Sequence, residues 1–104
     1  MYQKTRPNIS FIEFMQLVGP VVSFNSLEGC EYIVQKYKGT TMVFKRQSTK
    51  EIWDMDLKQV HKAYLELKDF KTINFKEYVY KRHSPALGLL LHLKLLVDEL
   101  RKII

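Results

Sequence analysis

Ser26-Leu27-Glu28-Gly29-Cys30-Glu31-Tyr32-Ile33-Val34-Gln35-Lys36-Tyr37-Lys38 is the stretch on which the fold turns. Tyr32, Ile33, Val34 and Tyr37 are residue types enriched in strands. Strand alternation, however, groups Ile33 and Tyr37 with Gln35, and Tyr32 and Val34 with Lys36, so neither face is cleanly apolar. Helical spacing collects Leu27, Cys30, Val34 and Tyr37 into one stripe. Lys36 and Lys38 suit the negative end of a helix, and Gly39 suits the residue just past it. The pattern therefore favours a helix over residues 26–38, with a strand as the alternative.

Downstream, Thr40 to Phe44 and Ile52-Trp53 read as strands, and the polar run Gln47-Ser48-Thr49-Lys50 reads as their connection. The expected product is one antiparallel hairpin over about residues 40–55. Alternation sends Met42, Phe44, Trp53 and Met55 to the core, and Val43, Lys45 and Asp54 outward.

Helix starts are marked by capping boxes, in which two side chains satisfy two orphan amides reciprocally. Ser10 with Glu13 opens a helix that Gly19-Pro20 ends, and Ile9 with Phe14 forms its hydrophobic staple. Asp56 with Gln59 opens a second over 56–68, stapled by Met55 and Val60. Asn74 with Glu77 opens a third to about Arg82. Ser84 as N-cap and Pro85 at the first helical position begin a last helix running nearly to the C-terminus. The resulting expectation is α+β: a mostly helical small domain, 1–104, with one hairpin followed by three helices.

The 104 residues suit a single hydrophobic core. Hydrophobic residues make up 46% and charged residues 27%, too apolar for a disordered chain. Cys30 is the sole cysteine, which excludes an intrachain disulfide and a thiolate cluster. The polar opening Met1–Ser10 lacks the apolar core of a secretory signal. Ala86–Val97 is shorter than the roughly 20 residues of a membrane span. These features make a reducing, cytoplasmic setting the simplest expectation, with no membrane partner expected.

Lys and Arg total 17 against 11 Asp and Glu, a formal charge of +6 that favours anionic partners. Tyr32 to Lys50 holds Lys36, Lys38, Lys45, Arg46 and Lys50 without one acidic residue, and Tyr32, Tyr37 and Phe44 are interleaved among them. Lys45, Arg46 and Lys50 supply cations and Ser48 and Thr49 supply hydroxyls, the groups that commonly meet phosphate oxygens. The bland counterpart is a solvated basic hairpin with its aromatics inside. Helices 56–68 and 74–82 have the outline of a helix-turn-helix, whose second helix projects Lys76, Tyr80 and Lys81. An ordinary helical pair explains the same pattern.

In the last helix, Leu89, Leu93, Leu96, Val97 and Leu100 form the expected core face, and Leu87, Leu91 and Leu95 form a second stripe opposite. A helix apolar all round is either central in its own domain or buried on another chain. The second stripe is thus a candidate homodimer interface.

Catalytic and cofactor signatures are absent from the sequence. The four glycines are dispersed, with no phosphate-binding loop and no nucleophile elbow. His61 lies between Leu57 and Leu65, where a half-buried, hydrogen-bonded side chain is expected, and His83 and His92 have no metal-ligand spacing. Glu51, Asp54 and Asp56 cluster after the hairpin but read as strand-edge charges and a helix cap. The expectation is a non-catalytic nucleic-acid-binding module without metal, cofactor or small-molecule substrate. A protein-interaction or regulatory domain, dimeric through the leucine stripe, is the alternative.

Overall fold

The computed structural model describes residues 2–98. In chain order the elements are β1 (Tyr2–Lys4), α1 (Phe11–Val18), β2 (Ser23–Asn25), β3 (Glu31–Lys38), β4 (Thr41–Arg46) and β5 (Ile52–Asp56). There follow α2 (Leu57–Glu66), a 3-10 turn (Thr72–Phe75), α3 (His83–His92) and β6 (Leu96–Asp98). The fold is α+β, but the expected single hairpin followed by three helices is not what forms. The strands make a four-stranded antiparallel sheet in the order β2-β3-β4-β5 and a two-stranded antiparallel sheet pairing β1 with β6.

The correction begins at 26–38, which is strand rather than helix. A β-bulge between Val34 and Lys36 inserts Gln35 as an extra residue. The register passes from Val34↔Phe44 to Lys36↔Val43 and Tyr37↔Met42, so Tyr37 joins Tyr32 and Val34 on the inner face. The same bulge moves Lys36 out beside Ile33, and a face that looked mixed under strict alternation becomes apolar. Gly39, at φ 61, occupies the first position of a two-residue hairpin loop between Lys38 and Thr41. A left-handed glycine serves that position as well as it serves a helix end.

The inner face carries a ring cluster. Tyr32 lies 5.3 Å from both Phe24 and Phe44 between centroids, and Trp53 lies 6.3 Å from Phe44. Met42, Phe44 and Met55 are buried as expected, whereas Trp53 is half-buried. Tyr37 donates its hydroxyl to the Val18 carbonyl of α1 at 3.1 Å, tying the sheet to that helix. Val43 points outward in register but is nearly buried between its cross-strand neighbours Lys36 and Asp54.

Helix α1 forms where expected, with both hydrogen bonds of the Ser10–Glu13 capping box and with Ile9 and Phe14 buried. Asp56 caps α2 by accepting from the Lys58 amide at 2.9 Å, but the reciprocal Gln59 bond of the expected capping box does not form. His61 on α2 donates Nε2 to the Ile9 carbonyl at 2.8 Å and sits edge-on to Phe11, a half-buried side chain in a structural role. The buried Tyr64 hydroxyl donates to the Leu95 carbonyl and accepts from the Arg6 amide, joining α2 to both terminal segments.

The third expected helix, 74–82, is absent. Asn74 donates its amide to the Asp69 carbonyl at 2.9 Å instead of capping, and the helical turn ends at Phe75. Lys81 then takes φ 62, which a right-handed helix does not accommodate. Phe75 and Val79 still reach the core as anticipated.

The last helix is also shorter than expected and opens at N-cap Arg82 rather than Ser84. It stops at His92 because Lys94 turns left-handed at φ 60. The Lys94 amide then bonds the Leu91 carbonyl and the Leu95 amide bonds the Leu90 carbonyl, a Schellman closure. The chain returns as β6, so Leu96 and Val97 are strand residues. Leu100 of the expected core face lies outside the described residues. Helix α3 packs tightly on β2: a Cβ on Gly88 would stand 2.3 Å from the Asn25 carbonyl oxygen.

Candidate nucleic-acid interface

Helices cover the inner face of the four-stranded sheet, and its outer face is set by the register. One cross-strand row reads Ile33–Lys45–Ile52, the next Lys36–Val43–Asp54, the last Lys38–Thr41–Asp56. Three lysines thus stand on β3 and β4, and two aspartates on β5. The ion pairs among the described residues are Arg6–Glu13 at 2.6 Å and Lys71–Asp69 at 3.8 Å. Neither involves a lysine of this face, which keeps a small net positive charge once its two aspartates are counted.

The β4–β5 turn extends the face at one end. Ser48, Thr49 and Lys50 are exposed, and Lys50 adopts φ 64 as its amide bonds the Arg46 carbonyl. Lys45 is half-exposed on the outer face beside this turn. Four of the expected contact residues therefore share one surface.

Arg46 departs from them. Its place on the inner face brings the guanidinium 5.6 Å from the Trp53 ring centre, and Nη2 donates to Cys30 Sγ at 3.4 Å. The hydrogen bond from Arg46, followed by the one involving Ser26, holds the Cys30 thiol below its ordinary pKa. The sequence reading found nothing to mark Cys30, because Arg46 and Cys30 meet only once β3 pairs with β4.

Lys76 and Lys81 are exposed in the segment between the 3-10 turn and α3. At the end of that segment Arg82 donates Nε to the Asp54 carbonyl at 2.8 Å and stacks 4.6 Å from the Trp53 ring centre. This contact covers part of the free edge of β5. It also sets Lys81 and the 69% exposed Tyr80 beside the sheet. Between the segment and β5 runs a cleft of about 280 Å³, lined by Asp54, Asp56, Gln59, Tyr80, Lys81 and Arg82 among others. The sequence pointed to Tyr80 as outward-facing but held no sign of the cleft.

The leucines of the last helix are placed differently. Leu87 and Leu95 are each 1% exposed within the chain's own core, and Leu91 is half-buried. Groups of three or more His, Cys, Asp or Glu able to hold a metal ion are absent among the described residues. No helix among them is long and apolar enough to cross a membrane. No protein family, curated protein or solved structure matches this chain.

Proposed function

We propose that this chain is a non-catalytic nucleic-acid-binding module of the cytoplasm. Its outer sheet face and β4–β5 turn meet phosphates through Lys45, Lys50, Ser48 and Thr49. Lys76 and Lys81 form a second cationic group beyond β5. The observation that carries this reading is the face of Lys36, Lys38 and Lys45, without an ion pair among the described residues, on a chain of net charge +6. Cations spread over a sheet face and held in no ion pair favour a polyanion over a single small anion, although Asp54 and Asp56 share the face. Arg46 is engaged with Trp53 and Cys30 and is better read as a support for the turn.

The homodimer alternative has less support, because Leu87 and Leu95 are already buried by the chain itself. The deciding experiment is fluorescence anisotropy with labelled DNA and RNA at low salt. Binding that weakens steeply as salt rises is expected. A chain that binds no nucleic acid at low salt overturns the reading.

A further inference from the structure

The cleft between β5 and the segment ahead of α3 brings three features together in one place. The first is an exposed aromatic ring, Tyr80, on a segment anchored by buried Phe75 and Val79. The second is a pair of cations, one movable and one held. Lys81 Nζ stands 5.5 Å from the Tyr80 ring centre, and Arg82 is held by the Asp54 carbonyl and Trp53. The third is a set of side-chain oxygens, since Asp54 and Gln59 line the cleft and have no side-chain hydrogen bond or ion pair among the described residues.

We infer that this cleft takes one unpaired, amino-bearing base of a single-stranded nucleic acid, stacked on Tyr80. The inference rests on the nucleic-acid reading above and specifies its ligand. A polyanion bound by phosphates alone needs neither an exposed ring nor carboxylates, and the carboxylates would repel it. A base needs both. Its π-face stacks on an aromatic side chain whatever its identity, and its exocyclic amino group donates to a carboxylate or amide oxygen. Asp54 and Gln59 therefore meet the base edge rather than the backbone.

An exposed cation–π contact is weaker than base–aromatic stacking. The incoming base thus displaces the Lys81 ammonium from the ring and frees it for the adjoining phosphate. In a duplex the bases are stacked on one another and their pairing edges are occupied, so the cleft selects single strands. The strand then runs from the cleft across β5 toward Lys45 and Lys50.

The test is anisotropy of the full chain with fluorescein-labelled decamers of deoxycytidine and of thymidine, and with a hairpin duplex. Wild type is expected to bind deoxycytidine decamer more tightly than thymidine decamer, whose bases lack the amino group, and more tightly than duplex. Tyr80→Ala should weaken single-strand binding about tenfold, within the range of a lost base stack, and leave duplex binding unchanged. Tyr80→Phe should retain the affinity. Tyr80 is exposed, and equal melting temperatures for the three proteins exclude misfolding as the cause. If Tyr80→Ala binds the deoxycytidine decamer like wild type, or the two decamers bind alike, the inference is overturned. If in that case Lys45→Glu/Lys50→Glu still weakens binding and flattens its salt dependence, the broader nucleic-acid reading survives. Absence of wild-type binding to every probe removes both.

Discussion

The Arg82 guanidinium carbon lies 4.6 Å from the centre of the Trp53 indole, while Nε of the same side chain donates to the carbonyl of Asp54, the next residue of β5. An edge strand left open exposes unpaired carbonyls to any passing strand. One side chain here occupies such a carbonyl and shields the indole beside it. Arg46 approaches the same ring at 5.6 Å, so the indole is contacted by two cations. Trp53 thereby becomes a fixed part of the platform and not a free stacking surface.

Replacing Arg82 by Met should keep the aliphatic cover but lose the hydrogen bond and the cation–π contact. A loss of about 1–2 kcal/mol is expected in chemical denaturation, with a change in the Trp53 emission. Trp53→Ala should cost about 3 kcal/mol, the lower end for a large aromatic, because the ring is only half-buried. Arg82→Met at wild-type stability and unchanged emission would contradict the pairing.

Gly88→Ala tests the contact between α3 and β2. Alanine improves helix propensity by about 1 kcal/mol over glycine, so a free helix would gain. Here the new Cβ would fall 2.3 Å from the Asn25 carbonyl oxygen and 3.1 Å from the Ser26 Cα, and backbone cannot yield as a side-chain tip can. Overpacking of this kind costs about 1–3 kcal/mol, and the net result expected is a lower melting temperature. A stabilised variant would show that α3 does not approach β2 so closely.

Glu13 links stability to pH. The Ser10 hydroxyl, then the Ser10 amide, then Arg6 hold its carboxyl below the ordinary glutamate value. A carboxyl depressed on folding contributes stability that is full above its unfolded pKa and disappears as pH falls through its folded pKa. Denaturation of wild type and Glu13→Gln should therefore differ at neutral pH and converge in acid. A difference that stays constant with pH would rule out the assigned cause.

Which parts of this fold were legible follows from how local their causes are. The capped starts of α1 and α2 depend on side chains within four residues of each other; the Ser10–Glu13 box formed as read, while at α2 the Asp56 cap formed without the reciprocal Gln59 bond. The β3 strand was not legible, because its apolar face exists only after the bulge at Gln35, and a bulge is fixed by pairing with β4. Lys50, Lys81 and Lys94 all adopt positive φ at turns where sequence reading looks for glycine or asparagine. One of those lysines, Lys94, accounts for the shortened last helix. Lys94 closes α3 so that the chain can return as β6 against β1, while Lys81 turns the chain just ahead of α3. The candidate site divides the same way. Lys45, Ser48, Thr49 and Lys50 are neighbours in sequence and remain so in space. The cleft joins β5 to residues 78–82 through tertiary packing that no local pattern encodes.

Charge reversal at Lys45 and Lys50 reads out the outer face directly. Lys45 stands on that face between Ile33 and Ile52, and Lys50 is exposed at the turn. Lys45→Glu/Lys50→Glu should therefore fold like wild type. Phosphate contacts release condensed counterions, so log affinity falls with log salt by roughly 0.7 per contact on single strands. Removing two contacts should make the slope shallower by about 1.4. It should weaken deoxycytidine and thymidine decamers by the same factor, since phosphate contacts carry no sequence information. The base preference assigned to the cleft should persist in the reversed variant, because Tyr80, Asp54 and Gln59 are untouched. A variant that keeps the wild-type salt slope would move the phosphate contacts off this face, toward Lys76 and Lys81.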